Sequence, residues 1–117
     1  MQTALTVFNE EIFQYINADF EIDTLVDDCL FTEGPVWSKE GFYLFSDISA
    51  NVVYKLVPGH KKEVYICNSG TDHPEDEDLK PGQGGSDGLA FDNNGSLLVC
   101  RHGSHMVARW EENKLVP

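Results

Sequence analysis

The segment EGPVWSKEGFYLFSDISANVVYKL, residues 33–56, aligns without a gap on a later segment of the same chain, DGLAFDNNGSLLVCRHGSHMVARW, residues 87–110. Self-similarity at a period of about 50 residues indicates an architecture built from repeated units. The agreeing positions have structural meaning. Identical residues occupy Gly34/Gly88, Gly41/Gly95, Leu44/Leu98 and Val53/Val107, and similar residues occupy Glu33/Asp87, Trp37/Phe91 and Lys55/Arg109.

Each copy has the pattern of strand, tight turn, strand, loop and strand. In the second copy the turn is DNNG at 92–95, which favours a hairpin because Asn and Gly tolerate positive φ. In the first copy the strands are predicted at 35–37, 42–45 and 52–57, and residues 63–67 add a fourth. Four antiparallel strands in about 50 residues are typical of a propeller blade. The sequence therefore predicts an all-β fold, a β-propeller of which this chain supplies about two blades.

The sequence outside the repeat has a different character. An N-terminal lead-in contains a short helix, for which Asn9 is the predicted cap, and an extended stretch at 20–26. Apolar and polar side chains alternate along that stretch, so we expect an extra outer strand. The second blade is expected to be incomplete, because its last strand would begin at Lys114. The predicted parts are the lead-in at 1–27, the first blade at 28–70, an acidic loop rich in Gly and Pro at 71–85, and the second blade at 86–117.

Composition narrows the possible partners. Acidic side chains outnumber basic ones by 20 to 8, and the formal net charge of -12 opposes binding to nucleic acid or to an anionic membrane. The first residues lack a basic stretch followed by an apolar run, and no apolar segment of about 20 residues is present. The three cysteines, Cys29, Cys67 and Cys100, match neither a zinc site nor a redox pair. We therefore expect a cytoplasmic protein with reduced thiols.

Two carboxylates recur at the same position of the two blades. Glu33 and Asp87 each precede a glycine at the start of a first strand, which is the innermost strand of its blade. Side chains there point at the central channel, where two carboxylates would repel unless a cation lay between them. Ca²⁺ accepts the irregular oxygen coordination that such a channel offers. The alternative, that each is a solvated turn residue, remains open.

A second group of polar residues is predicted at the same end of the channel. Asp47 ends the second strand of the first blade, and the sequence RHGSH at 101–105 ends the second strand of the other. Because antiparallel strands reverse direction, these residues reach the rim on which Glu33 and Asp87 lie. The acidic loop joins the same rim from above.

The sequence FTEGPVW at 31–37, followed by YLFSDI at 43–48 and DGLAFD at 87–92, resembles the opening blades of the gluconolactonase family. This family of six-bladed propellers also includes senescence marker protein (regucalcin) and the squid-type phosphotriesterase. The resemblance covers roughly residues 28–110. It implies that Glu33 is a metal ligand and that Asp87 stands where the family typically has an Asn ligand. The family's remaining ligands, in a later SPND-like motif and beyond, have no counterpart in this chain.

By this resemblance, the expected activity is calcium-dependent hydrolysis of a sugar-type lactone, with Zn²⁺ or Mg²⁺ as other possible metals. The cation would act as a Lewis acid on the lactone carbonyl. His102 is the candidate catalytic base. The candidates for contact with the substrate are Asp47, Arg101 and His105. With half of the metal ligands missing, we expect the isolated chain to be an inactive fragment.

Other functions remain open at this stage. The same scaffold could hydrolyse phosphotriesters, or the chain could be a binding module without catalytic activity. A third possibility is structural: two-blade chains associate, cover their open blade faces and close a ring.

Overall fold

The computed structural model describes residues 5–117, in which one short 3₁₀-helix, Glu10–Gln14, precedes eight strands. The four strands of the first sheet are β1 (Thr32–Ser38), β2 (Phe42–Asp47), β3 (Val52–Leu56) and β4 (Glu63–Cys67). Those of the second are β5 (Ser86–Phe91), β6 (Leu97–Arg101), β7 (Met106–Glu111) and β8 (Lys114–Val116). We call these sheets blade 1 and blade 2.

Both blades are antiparallel meanders in which each strand pairs with its neighbours in the chain. The all-β prediction is therefore confirmed. Blade 2, expected to be incomplete, has four strands, the last with three residues. Gly41 and Gly95 both have positive φ in the turns after the first strands, as the hairpin prediction requires.

The two blades share their strand order, and their first three strands also share their register. Thr32 pairs with Asp47 in blade 1, and Ser86 pairs with Arg101 at the equivalent place in blade 2. A β-bulge follows in both first strands, between Glu33 and Val36 and between Ser86 and Leu89. A bulge changes the direction in which the neighbouring side chains point. The starts of β1 and β5 therefore depart from regular strand pairing in the same way.

The core lies between the blades. One cluster of buried side chains combines residues of blade 1 with residues of blade 2, so the two sheets stabilise each other by burying apolar surface. Strands β1 and β5 lie side by side. The buried members of the cluster are Phe42, Leu44, Val53, Ile66, Leu97 and Val99.

The lead-in differs in part from the prediction. Asn9 caps the 3₁₀-helix by accepting a hydrogen bond from the Glu11 amide at 2.9 Å. The outer strand expected at 20–26 is not formed, because this stretch has no strand partner within the described chain. Alternation shows which side chains a strand could bury, but a strand also needs a neighbouring edge to accept its hydrogen bonds. The prediction that the chain lacks a targeting signal rests partly on residues 1–4, which lie outside the described residues.

An ion pair fixes the end of the lead-in to blade 1. Lys62 Nζ contacts the carboxylate of Asp28, and it also donates to the Asp28 carbonyl at 3.2 Å. The hydrogen bond from Lys62 lowers the pKa of Asp28, and the same bond raises the pKa of Lys62. Burial raises the pKa of the neighbouring Cys29 thiol. The same cation lies 4.9 Å from the centre of the Tyr54 ring.

The acidic loop at 71–85 is anchored at both ends. Asn51 accepts hydrogen bonds from the amides of Gly70 and Thr71, and its side-chain amide donates to the Thr71 carbonyl at 3.0 Å. Ser49 donates to the Gly82 carbonyl at 2.9 Å. The loop therefore returns to the place where it leaves blade 1.

Among residues 5–117, no helix is long and apolar enough to cross a membrane.

Candidate functional site

The two predicted metal ligands lie on adjacent strands. Glu33 is the second residue of β1, Asp87 is the second residue of β5, and these two strands are neighbours. A Cβ atom added to Gly34, whose φ is +58°, would lie 2.4 Å from the Asp87 carbonyl oxygen. Because Gly34 has no side chain, the backbone at the start of β1 can lie directly against the backbone at the start of β5.

The two carboxylates differ in their surroundings. Glu33 is exposed, and it accepts a hydrogen bond from the Gly34 amide at 3.3 Å. It lines a recess formed with lead-in residues 23–26. Asp87 is half-buried and lines a second recess, with His102 and His105. Within the described chain, no group of three or more His, Cys, Asp or Glu side chains is arranged to hold a metal ion.

Beneath these strand starts lies a buried cluster of hydroxyl groups. Ser46 Oγ is 2.8 Å from Ser86 Oγ, which is 2.7 Å from Ser69 Oγ, and all three side chains are fully buried. Ser46 also donates to the Asp87 carbonyl at 2.8 Å. The cluster ties β2 of one blade to β5 of the next and fixes the backbone that carries Asp87. Sequence reasoning missed it, because the offset of 54 pairs Ser46 with Cys100 and Ser86 with Thr32.

Asp47 is buried beneath the rim. Its carboxylate accepts hydrogen bonds from the amides of Leu30 at 2.9 Å, Phe31 at 3.1 Å and Ala50 at 3.3 Å. These donors lie just before β1 and just after β2, so one side chain holds both ends of the hairpin. Desolvating the carboxylate is offset by these charge-assisted bonds. The observed contacts of Asp47 are therefore with its own chain.

Arg101 occupies the equivalent position in blade 2 and is also buried. Its guanidinium donates to the carbonyls of Ser69 at 3.1 Å and Asn68 at 2.9 Å, and it lies 3.3 Å from the Asp72 carboxylate. It fixes the start of the acidic loop. The common register of Asp47 and Arg101 is visible in the sequence repeat, and it is the signal that could have indicated a shared structural role.

The two histidines of the predicted site are both exposed. His102 and His105 have ring centres 6.4 Å apart, and His105 adopts a positive φ of 54°. Their loop is held by a hydrogen bond from the Ser104 amide to the Gly70 carbonyl at 2.9 Å. A Cβ atom on Gly103 would lie 2.4 Å from the Gly84 carbonyl oxygen, so this glycine permits close backbone contact.

The structure thus places the predicted site residues at three locations. Asp87, Arg101, His102 and His105 line one open recess on blade 2. Glu33 lines a different recess, formed by blade 1 and the lead-in, and Asp47 is enclosed within blade 1. The arrangement offers two carboxylates and two imidazoles to solvent on a rim held by buried polar contacts.

The chain is similar in sequence to a curated protein. The chain is 28% identical over 109 residues to a gluconolactonase of Zymomonas mobilis subsp. mobilis, which corresponds to 90% of this chain and 30% of that protein. The chain therefore spans about a third of the length of the relative it matches. No family model matches the sequence.

A solved structure agrees with the fold. A gluconolactonase from Xanthomonas campestris superposes with a TM-score of 0.63 at 20% sequence identity, over 80% of this chain and 27% of that one. This match confirms the propeller-type fold predicted from the repeat. The sequence match and the structural match together support the resemblance to a gluconolactonase-like family.

Proposed function

We propose that this chain, which is related to gluconolactonases in sequence and fold, supplies two blades of a propeller that hydrolyses a sugar-type lactone. The observation that carries the proposal is the match to a gluconolactonase over 90% of the chain. Two carboxylates at the starts of neighbouring first strands are its structural support. The activity belongs to the closed ring, because two blades leave the channel open.

Calcium is the proposed cation. Carboxylate oxygens suit a hard ion, and Ca²⁺ tolerates irregular coordination better than Mg²⁺, whereas Zn²⁺ favours nitrogen and sulfur ligands. Glu33 and Asp87 fit such a site in part: they are donors of the right chemistry, but residues 5–117 form no group of three ligands. Further oxygens have to come from additional blades. A bound cation would polarise the lactone carbonyl.

The residues on the rim have separate proposed roles. His102 accepts a proton from the attacking water, and His105, beside it, binds a hydroxyl group of the substrate. Asp47 and Arg101 were predicted to contact substrate, but their polar atoms are engaged with backbone groups. We propose that they act as positioning residues that hold the rim in place.

A cytoplasmic location is also proposed. Cys67 and Cys100 are exposed, and all three cysteines are free thiols. Exposed free thiols suit a reducing compartment.

The proposal is tested by lactone hydrolysis in open and closed forms. The 117-residue chain alone should hydrolyse glucono-1,5-lactone no faster than buffer, because it leaves most of the cation's coordination to water. A chimera in which this chain replaces the matching segment of the Zymomonas gluconolactonase should hydrolyse it, and a chelator should remove that activity. Rates are measured by proton release, with added Ca²⁺ as the control for chelation.

Two outcomes would overturn the proposal. A chimera that folds, as judged by a cooperative thermal transition, but has no lactonase activity would show that these blades do not support the reaction. Chelator-sensitive turnover by a verified monomer of the chain would show that two blades suffice.

A further inference from the structure

A cleft of about 820 Å³ lies between the two blades, at the opposite end of β1 and β5 from Glu33 and Asp87. It opens beside the turn that follows β1 and the turn that follows β5. Both of its walls are supplied by the described residues. Its apolar walls consist of Val36, Phe42 and Tyr65 of blade 1 and Phe91, Leu97 and Trp110 of blade 2. We call this space the distal cleft.

Three aromatic rings lie in a row along the distal cleft. The ring centres of Phe42 and Tyr65 are 6.4 Å apart, and those of Tyr65 and Trp110 are 6.1 Å apart. The second of these contacts joins blade 1 to blade 2. Phe42 is buried, whereas Tyr65 and Trp110 are only half-buried. The last two rings therefore retain surface for contact with a ligand.

The acidic residue at the mouth of the cleft is engaged within blade 2. Asp92 accepts hydrogen bonds from the amides of Asn94 and Ser96, both at 2.9 Å. Its second carboxylate oxygen lies 3.5 Å from Arg109 Nε. The charge of Asp92 is thus compensated by groups of its own blade.

Three other side chains at the mouth are exposed. Lys39 and Glu40 come from the turn after β1, and Asn93 comes from the turn after β5. Their charges sum to zero, so the mouth has no excess of carboxylates for a cation. The formal net charge of -12 on the chain opposes an anion. The mouth therefore favours a neutral ligand that both donates and accepts hydrogen bonds.

We propose that the distal cleft binds a neutral pyranose sugar, a ring with an apolar face of C–H groups and an edge of hydroxyl groups. The apolar face stacks on the rings of Tyr65 and Trp110. The hydroxyl groups donate to Glu40 and accept from Lys39 and Asn93. A purely apolar compound would remove water from these polar side chains without replacing its hydrogen bonds.

This binding site is separate from the proposed catalytic site. Glu33 and Asp87 lie at one end of the first strands and the distal cleft lies at the other. Sugar binding there requires neither a metal nor a lactone, so it does not rest on the proposed function. A cleft of this volume is within the usual range for small-molecule sites. Because a pyranose has only about twelve non-hydrogen atoms, we expect a dissociation constant in the millimolar range.

Two-dimensional nitrogen–proton NMR of the 117-residue chain tests the proposal. The ligands are the methyl β-glycosides of glucose, galactose and mannose, which keep the ring closed and cannot form a lactone. With at least one of them, the indole signal of Trp110 and the amide signals of Lys39 and Asn93 should shift together and saturate with one dissociation constant. The amide signals of Asp87 and His102 should not move.

A matched pair of tyrosine variants tests the stacking. Tyr65→Leu removes a ring from the cleft and should raise the dissociation constant about fivefold. Tyr15→Leu makes the same change in the lead-in, where the side chain is 82% exposed, and should leave the constant unchanged. Thermal melting checks that each variant is folded.

A second matched pair lies in the exposed turn of blade 2 and decides alone if Tyr65→Leu does not fold. Asn93→Ala removes a hydrogen-bonding group from the mouth and should raise the dissociation constant about threefold. Asn94→Ala, at the next residue and outside the lining of the cleft, should bind the sugar as the wild type does.

Two further ligands separate the possible chemistries. Methyl β-glucuronide has the same ring with a carboxylate, and it should bind at least about threefold more weakly than the glucoside because the chain is strongly negative. Phenol represents a flat aromatic ligand without the hydroxyl edge.

Several results would overturn the proposal. One is the absence of saturable shifts at Trp110, Lys39 and Asn93 with all three glycosides, or shifts centred on Asp87 and His102 instead. Another is binding of phenol in the cleft where no glycoside binds, because the occupant would then be an aromatic compound. Equal dissociation constants for folded Tyr65→Leu and the wild type, or for the glucuronide and the glucoside, would also contradict it.

Discussion

Blades 1 and 2 have the same strand order and, over their first three strands, the same register and bulge, but they hold their loops with opposite charges. Asp47 in blade 1 accepts hydrogen bonds from three backbone amides, and Arg101 at the equivalent position in blade 2 donates to two backbone carbonyls. Both residues thus make buried polar contacts with the backbone, and the sign of the charge matches the backbone groups that the neighbouring loop presents, amides for Asp47 and carbonyls for Arg101. The two copies of the repeat therefore use this position for the same structural role, holding a loop, but with side chains of opposite charge.

The blades also differ in what covers their outer surfaces. The lead-in lies beside blade 1, where Leu56 is 5% exposed although it is outside the core between the blades. Blade 2 has no comparable cover within the described chain, and Val107 remains exposed. Side chains on the outer faces of the two blades thus differ in solvent exposure although the blades have similar backbones. The reason is that a blade buries its outer face only when another part of the protein packs against it.

The largest expected difference between the blades concerns two equivalent glycines. Gly34→Ala would place a Cβ atom 2.4 Å from the Asp87 carbonyl in a backbone with positive φ, whereas a Cβ atom on Gly88 meets the Cys100 sulfur at 3.6 Å, which is an ordinary contact. We expect Gly34→Ala to lower the free energy of unfolding by about 3 kcal/mol. Gly88→Ala should change it by less than about 1 kcal/mol.

Denaturant unfolding of the two variants measures both values under the same conditions. Equal losses would mean that the blades do not meet at Gly34 as described.

A second pair of variants addresses the reversed charges. Asp47→Ala leaves three backbone amides without their partner, and Arg101→Ala leaves two carbonyls and the Asp72 carboxylate without theirs. Each should cost about 2 to 4 kcal/mol of unfolding free energy. Asp27→Ala, a change at an exposed carboxylate, serves as the control and should lie within about 0.5 kcal/mol of the wild type.

Thermal or denaturant unfolding again provides the measurement. A loss for Asp47→Ala no larger than that for Asp27→Ala would refute the role assigned to this position.

The smallest expected effect concerns the cover of blade 1. Lys62 lowers the pKa of Asp28 below its ordinary value of 3.8 in the folded chain. A carboxyl group with a depressed folded pKa stabilises the fold above its unfolded pKa, and this contribution is lost as the pH falls through the folded value. Stability should therefore decrease below about pH 4 less steeply in Lys62→Gln than in the wild type.

Unfolding curves recorded from neutral pH down to pH 3 give the two slopes, and Lys61→Gln, an exposed neighbour, is the control. Identical slopes for Lys62→Gln and the wild type would show that the ion pair does not anchor the lead-in.

The sequence predicted those parts of the structure that depend on neighbours in the chain. The strands could be predicted from the repeat and the Asn-Gly turn, because the alternation of side chains and the positive φ of a turn depend only on residues close in the sequence. The outer strand at 20–26 was predicted wrongly, since pairing needs an edge elsewhere in the molecule. The serine cluster and the buried roles of Asp47 and Arg101 were missed for the same reason: each depends on groups that are distant in the sequence. Glu33 and Asp87 were correctly expected at the starts of neighbouring strands, and their role in metal binding stays a prediction.

The central claim is that Glu33 belongs to a cation site in a lactone-hydrolysing channel, and its most direct test is the initial rate of glucono-1,5-lactone hydrolysis by the chimera carrying Glu33→Gln. With Ca²⁺ present, the account predicts a loss of at least about tenfold, because the substitution removes a charged oxygen ligand. Glu40→Gln, in the exposed turn after β1, should retain the full rate. A chimera in which Glu33→Gln is as active as Glu40→Gln would contradict the account.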